Sequence, residues 1–221
     1  MKKITTVAMA AFTFAIGSLA HASVIKIDSI QATSGTLANA NAYRTAVEAA
    51  LLGAGRASTT LASYDNVTHA SLFGTNSNFA MKSTIDFAVS SANAGLWSFR
   101  AGVDFGMGGA LFIDGAAVDY KAYDMYWGNS YSNTSQILQA SLNLSAGNHT
   151  ITMFGFEGCC DGAQQFQFKS PTGAYTSFSS TDGLNRSAVP EPATLAMMVT
   201  GMGLIGFSRR RKPQPAQRSA A

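Results

Sequence analysis

From Phe79 to Lys169 the sequence is a succession of short runs in which apolar and polar residues alternate, and turn signals separate the runs. Alternation with a period of two is the pattern of a half-buried β-strand. One further strand is predicted near the N-terminus, at residues 24–30. The others are residues 84–89, 96–105, 110–113, 116–120, 137–144, 149–157 and 164–169. Strands that recur about every 8–12 residues between turns predict an all-β sandwich or barrel.

Glycine-containing segments supply the predicted turns. Asp114-Gly115 is a strong hairpin signal because both residue types tolerate the positive φ that tight hairpin turns require. Gly106–Gly109 and Ala146–Asn148 are also interpreted as turns.

One helix is predicted in this part of the chain, over Ala38–Leu52. Its apolar residues recur at helical spacing, at Tyr43, Val47, Ala50 and Leu51. Asn39 or Asn41 is the candidate N-cap, and Gly53 follows the C-terminal end. Residues 56–78 are polar and give no clear pattern.

The N-terminus has the three parts of a secretory signal peptide. Lys2 and Lys3 form a charged region, Ile4–Leu19 is apolar, and Ala20-His21-Ala22 is a small-residue cleavage site. Residues 1–22 are therefore predicted to be removed on export. The alternative is a retained N-terminal membrane anchor.

The C-terminus combines a proline-containing motif, an apolar run and a basic stop. Val189-Pro190-Glu191-Pro192 precedes the uncharged run Ala193–Phe207, and Arg209–Lys212 follows it. Counted from Val189, nineteen residues are available, a marginal length for a membrane span, which takes about 20 residues. The basic run predicts a cytoplasmic C-terminus. The alternative is a buried core helix.

These C-terminal residues resemble the PEP-CTERM sorting signal of Gram-negative bacteria. The residues that carry the resemblance are Pro190, Glu191, Pro192, Arg209, Arg210 and Arg211. It implies cleavage near Pro190-Glu191-Pro192 by an exosortase, a transient inner-membrane intermediate, and association with an exopolysaccharide or biofilm matrix. The predicted divisions are a signal peptide (1–22), an exported domain (23–188), a sorting and anchor segment (189–211) and a cytoplasmic tail (212–221).

The exported part is acidic, although the whole chain carries a formal charge of +3. Seven of the fifteen Lys and Arg residues lie in the two removed ends, which leaves eight cations against eleven acids and a net charge of −3 for residues 23–188. This balance gives no indication of a nucleic-acid partner. A segment of this length fits one domain with a sizeable core.

A second resemblance lies within the predicted strands. Trp97–Arg100, Leu111–Gly115 and Leu142–Ile151 resemble three successive strands of the protective-antigen-type β-sandwich, which is also seen in fungal flocculin and GLEYA adhesins. It implies a jelly-roll-like sandwich that often binds carbohydrate.

Calcium-dependent members of that family carry an Asp-Asp pair where this chain has Gly106 and Met107. Asp104, two residues earlier, is the candidate replacement ligand, and the alternative is that it starts a surface turn. No other cofactor is predicted. Asp114 is interpreted as a hairpin turn residue rather than a ligand.

Cys159 and Cys160 are the only cysteines, and they are adjacent. Export predicts an oxidising compartment, where disulfides form. Any bridge within one chain must join these neighbours, and the flanking glycines allow the tight turn this requires. The alternatives are intermolecular bridges or two free thiols. The Cys-Cys-x-Gly signature resembles a subgroup of PEP-CTERM proteins with that motif.

The sequence carries no recognised catalytic or phosphate-binding motif. His149 alternates within a predicted strand, so it is expected to be structural. Residues 120–135 are rich in polar and aromatic residues, and Tyr123, Tyr126 and Trp127 are the candidate sugar-stacking residues. The alternative is that these rings only pack.

Three functions remain open from the sequence. The first is a non-enzymatic matrix protein that binds polysaccharide. The second is a structural surface protein without a ligand. The third, least favoured, is a secreted hydrolase.

Overall fold

A computed structural model describes residues 22–184. The predicted signal peptide, except for its last residue, and the predicted sorting segment therefore lie outside the described residues. Within them, the helices are α1 (Ala40–Ala50) and α2 (His69–Phe73). The strands are β1 (Val24–Gln31), β2 (Ala57–Leu61), β3 (Ser77–Val89), β4 (Gly95–Gly102), β5 (Asp104–Phe105), β6 (Gly109–Ile113), β7 (Ala116–Lys121), β8 (Met125–Tyr126), β9 (Ile137–Leu144), β10 (Gly147–Cys159), β11 (Gln165–Lys169) and β12 (Thr176–Ser177).

The strands form two antiparallel sheets and one short pair. The larger sheet has the order β2-β1-β3-β10-β6-β7, the smaller has the order β12-β11-β4-β9, and β5 pairs with β8. The non-sequential order shows that the chain crosses between the sheets several times. This arrangement confirms the predicted all-β sandwich.

The main core is built from side chains that alternate inward from both sheets. Trp97 and Phe99 of β4 lie in this core with Phe87 of β3, and Phe166 and Phe178 lie beside them; all five are fully buried. Phe87 contacts Trp97, Phe99 and Phe178 at ring-centroid distances of 5.6–6.1 Å. Burying each such ring contributes about 2–3 kcal/mol relative to exposure.

A second core lies where α1 packs against the larger sheet. Tyr43 and Val47 of the helix are fully buried, together with Phe112 and Phe154 of the sheet. Every residue of β6 is buried, because one face of this strand meets the main core and the other meets the helix. The predicted cap is confirmed, since Asn39 accepts a hydrogen bond from the Ala42 N–H at 2.9 Å.

The structure corrects three details of the prediction. A second helix, α2, follows the Thr68 cap, so the expectation of a single helix was wrong. Strand β3 begins at Ser77 rather than at residue 84, because Phe79, Ala80 and Met81 are buried in succession and break the alternation. Gly109 belongs to β6 rather than to the preceding turn, since its backbone packs closely against Phe154 and Phe105.

The hairpin prediction is confirmed at Asp114 and Gly115, whose φ angles are 50° and 78°. The predicted bounds of β9 also match those observed. No helix within residues 22–184 is long and apolar enough to cross a membrane.

Candidate functional site

The β5–β8 pair brings two residues singled out in the sequence next to each other. Asp104 lies opposite Tyr126, and Phe105 lies opposite Met125. Phe105 and Met125 are both buried in the main core. Because successive side chains of a strand point to opposite faces, Asp104 and Tyr126 project away from that core on a shared face.

Asp104 is repelled by three other acids, Asp124, Glu157 and Asp161, and we call these four residues the acidic cluster. Its side chain is almost completely buried. Burial, together with the negative charges of Glu157, Asp124 and Asp161, raises the pKa of Asp104 to about 7, against a smaller opposing effect from the Gly162 N–H. The space beside it admits only glycine, since a Cβ on Gly162 would lie 2.4 Å from Asp104 Oδ2.

Glu157 is the most deeply buried of the four acids, with 1% of its surface exposed. Its Oε2 accepts a hydrogen bond from the Gly106 N–H at 2.5 Å. Burial raises the pKa of Glu157, whereas hydrogen bonds from the backbone of Gly106, Cys159 and Gly158 act in the opposite direction. The carboxylate therefore joins the turn before β6 to the C-terminal end of β10.

Asp161 fixes the segment that follows β10. Its Oδ2 accepts a hydrogen bond from the Ala70 N–H at 3.0 Å, and its own N–H donates to the Asn76 carbonyl at 2.8 Å. Burial raises the pKa of Asp161 as well. Next to it, Cys159 and Cys160 are both exposed and are joined by a disulfide bond across a cis peptide.

The acidic cluster does not fit the calcium site considered from the sequence. Calcium takes 6–8 oxygen ligands, with several carboxylates turned toward one point. Here Glu157 is occupied by backbone N–H groups and Asp104 faces Gly162. Among residues 22–184, no group of three or more acidic, histidine or cysteine side chains could hold a metal ion.

The connection from β7 to β9, residues 122–136, holds two of the predicted stacking residues in exposed positions. Tyr123 is 44% exposed and Tyr126 is 64% exposed. The Tyr123 hydroxyl donates to the Ser135 carbonyl at 3.1 Å, and the Tyr126 N–H donates to Gln136 Oε1 at 2.5 Å. The segment is thus bonded to itself while both rings face solvent.

Trp127, the third predicted stacking residue, has a different environment. Only 6% of it is exposed, and its indole lies flat on β4, where a Cβ on Gly102 would be 2.3 Å from Trp127 Cδ2. The backbone N–H of Trp127 donates to the Val103 carbonyl at 3.1 Å. The ring therefore anchors the 122–136 segment to the smaller sheet and is not exposed for stacking.

A second carboxylate site lies at the β6–β7 turn. Asp114 Oδ2 is 2.7 Å from His149 Nδ1, and Asp114 Oδ1 accepts a hydrogen bond from the Thr150 N–H at 2.9 Å. His149 Nε2 is 2.9 Å from the Ser145 carbonyl. We call these four residues the hairpin corner. It ties two turns together, which is the structural role expected for His149.

Within residues 22–184, Ser29 and His69 form a serine–histidine pair of the kind that a nucleophilic hydrolase would need. Ser29 Oγ lies 2.7 Å from His69 Nε2, but the two residues are only 2% and 3% exposed. Ser29 Oγ also donates to the Ala80 carbonyl, and His69 Nδ1 lies 2.6 Å from the Thr75 carbonyl. The pair forms a buried link between β1 and α2.

The sequence prediction missed Glu157 and Asp161. Ile151, Met153 and Gly155 continue by alternation to Glu157 on the inward face of β10, so a carboxylate at an apolar position was the available signal. Asp161 gave no such signal, because its partners come from α2 and the segment after it, which carried no sequence pattern.

Comparison of the sequence with known families and proteins gives one match. A family model described as the PEP-CTERM protein-sorting motif matches residues 188–212. No curated protein sequence matches the chain.

The described fold is similar to solved β-sandwich domains. The PA14 sugar-binding domain from an RTX adhesin has 13% identity and a TM-score of 0.50, over 76% of this chain and 99% of that chain. The PA14 domain of the MpAFP antifreeze protein has 14% identity and a TM-score of 0.49, over 82% and 100%. The Epithelial Adhesin 9 A domain from Candida glabrata, in complex with Galb1-3GlcNAc, has 12% identity and a TM-score of 0.48, over 79% and 97%.

The first of these likenesses shows the fold, and the family model shows the sorting motif. The chain is therefore a PA14-like β-sandwich protein with a PEP-CTERM sorting motif at its C-terminus, and this motif implies export and sorting to the cell surface.

Proposed function

We propose that residues 23–188 form a non-enzymatic carbohydrate-binding module of a surface-sorted protein. The observation that carries this proposal is the pair of exposed rings, Tyr123 and Tyr126, on a segment fixed by Trp127. Aromatic rings offer a flat apolar face and, in tyrosine, a polar tip, which suits the mixed surface of a sugar. A fixed segment also loses little conformational entropy when a ligand binds.

Two further features support this proposal. The fold resembles a domain described as sugar-binding. The acidic cluster lies beside Tyr126, and groups with perturbed pKa values concentrate at functional sites. Carboxylates are also ordinary hydrogen-bond acceptors for sugar hydroxyls.

A glycan array tests the binding proposal. The secreted protein is compared with a variant carrying both Tyr123→Ala and Tyr126→Ala, and with Tyr120→Ala as the matched control, since Tyr120 is 43% exposed but lies on β7. We expect the double variant to lose at least tenfold in affinity while the control binds normally. Because the acidic cluster does not fit calcium, a chelator should leave binding unchanged. Equal binding by all three proteins would refute the proposal.

We also propose that an exosortase cleaves the chain near Pro190-Glu191-Pro192 and that the released domain joins an exopolysaccharide or biofilm matrix. The sorting motif at residues 188–212 supports this proposal. Deleting the exosortase should leave an uncleaved protein in the inner membrane, detected by immunoblotting of cell fractions. Unchanged size and location in the deletion strain would contradict it.

A further inference from the structure

The outward face of the smaller sheet carries an arginine held between two tyrosine rings. Arg100 lies on β4 between Phe99 and Ala101, which both point into the core. Its guanidinium carbon is 3.8 Å from the centre of the Tyr131 ring and 3.7 Å from that of Tyr175. A planar guanidinium stacks well on aromatic faces, so the two rings fix its orientation.

The edge of this guanidinium remains available for a ligand. Arg100 Nε donates to Gln167 Oε1 at 2.7 Å, which uses one of its five N–H groups. Among residues 22–184, Lys26, Arg56, Lys82 and Lys121 each have a carboxylate within 4.0 Å, but Arg100 takes part in none of the ion pairs. A fixed guanidinium edge without a carboxylate partner is suited to a bidentate bond with one.

A groove lined by polar and aromatic residues lies next to Arg100. It has a volume of about 370 Å³ and is lined by Phe99, Gln139, Ala140, Ser141 and Tyr175. Strand register places Gln139, Arg100 and Gln167 in one row across the sheet. The volume lies within the usual range for small-ligand sites, about 300–1,000 Å³. Amide and hydroxyl groups beside an exposed ring can bond sugar hydroxyls while the ring covers the apolar face of the sugar.

We propose that this outward face binds an acidic polysaccharide, with Arg100 holding the carboxylate of a uronic-acid residue whose ring lies in the groove against Tyr175. The proposed contacts do not include Tyr123 or Tyr126, and the inference does not rest on the function proposed for them. The exported domain has a net charge of −3. Electrostatic attraction to an acidic polysaccharide is therefore local to Arg100 rather than long-range.

The test uses oligomers of galacturonate, glucuronate, mannuronate and guluronate, each paired with its carboxyl-reduced neutral counterpart. Calorimetric titration of the secreted domain should give, for at least one uronate, a Kd at least tenfold below that of its neutral pair. Arg100→Gln should remove this preference, and Arg100→Lys should retain only part of it, since lysine lacks the planar fork. The exposed Tyr175→Ala should weaken uronate binding severalfold.

Two controls separate this site from other effects. Arg44→Gln removes a half-buried arginine that lies over Phe112 on the other sheet, and it should bind uronates normally. The Tyr123→Ala and Tyr126→Ala double variant should also keep the uronate preference. If Arg100→Gln fails to fold, the uronate affinity of Tyr175→Ala decides the question. Absence of uronate binding across the panel, equal binding of the neutral oligomers, full preference in Arg100→Gln, or unchanged uronate affinity in Tyr175→Ala would overturn the proposal.

Discussion

The hairpin corner and the acidic cluster both place carboxylates where the chain reverses, but they treat the charge differently. Asp114 has 47% of its side chain exposed, and each oxygen has a nitrogen partner, from His149 and from Thr150. Asp104 and Glu157 are 8% and 1% exposed and repel each other. The carboxylate of Asp114 at the corner is solvated and hydrogen-bonded, whereas the buried carboxylates of the cluster are destabilising when they are charged.

This difference separates a structural role from a candidate functional one. The corner needs its carboxylate in order to hold two turns, so the aspartate stabilises the fold. In the cluster, burial and the neighbouring acids together raise the pKa of Asp104 to about 7, so an ionised Asp104 destabilises the fold. Groups with strongly perturbed pKa values concentrate at functional sites, and this cluster lies beside the exposed Tyr126.

The largest expected effect on the free energy of unfolding comes from replacing a glycine that lies in or beside each region. A Cβ on Gly155 would lie 2.2 Å from the Phe105 ring, next to Asp104, whereas a Cβ on Gly115 in the corner turn would meet nothing within 4 Å. Gly155→Ala should lower the free energy of unfolding by about 3 kcal/mol through overpacking. Gly115→Ala should cost about 1 kcal/mol, because its φ of +78° disfavours a side chain. Urea denaturation measures both values, and equal costs would contradict the packing described.

The second effect is a gain in stability on neutralising Asp104. Since the folded pKa of Asp104 is raised to about 7, the folded protein binds a proton that the unfolded chain releases between about pH 4 and 7. Its stability contribution is therefore present at low pH and lost as the pH rises through 7. Asp104→Asn should be more stable than the wild type at pH 8 by on the order of 2 kcal/mol.

This gain should shrink as the pH falls. The stability difference between Asp104→Asn and the wild type, measured by urea denaturation from pH 8 to pH 5, should decline toward zero. Taking the difference removes the opposing effect of His69, whose pKa is lowered by burial in both proteins. A difference that is constant with pH, or a variant less stable than the wild type at pH 8, would show that Asp104 is not a destabilising carboxylate.

The same substitution at the hairpin corner should act in the opposite direction. Asparagine tolerates the positive φ of Asp114, so Asp114→Asn removes the charge without straining the turn. One acceptor oxygen remains, and the second bond is lost. We expect a loss of about 1 kcal/mol at pH 8, measured as above. Stabilisation by Asp114→Asn would remove the contrast between the two regions.

The smallest effect is expected from the disulfide beside the acidic cluster. Its two cysteines are adjacent in sequence, so the bond closes almost no chain and should change the free energy of unfolding by less than about 1 kcal/mol. Intact-mass measurement after alkylation should show two labels only when a reductant is added, and the exposed bond should reduce without denaturant. Labelling of both thiols without reductant, or a linked dimer, would contradict the vicinal bond.

Most of the fold was predictable because its signals are local. Alternation identified β1, β4 and β9, and Asp114-Gly115 identified the hairpin that joins β6 to β7. Prediction failed where both faces of a strand are covered, as in the first part of β3, and where a helix is as short as α2. These elements depend on contacts from distant parts of the chain.

The candidate sites were less predictable for the same reason. Tyr123 and Tyr126 could be chosen from an aromatic-rich segment, but only the structure separates them from Trp127, which is buried against Gly102. Arg100 gave no signal in β4 beyond a polar position in an alternating strand. Tyr131 and Tyr175, which fix its orientation, lie 31 and 75 residues further along the chain.

The central claim is that exposed tyrosines on a fixed segment bind sugar. The most direct measurement is the Kd of wild type, Tyr126→Ala and Tyr120→Ala for the strongest ligand without a carboxylate that is found on a glycan array, determined by titration calorimetry. The account predicts at least a tenfold increase in Kd for Tyr126→Ala and no change for Tyr120→Ala, with all three proteins equally stable. Equal affinity of Tyr126→Ala and the wild type, or an equal loss in both variants, would contradict it.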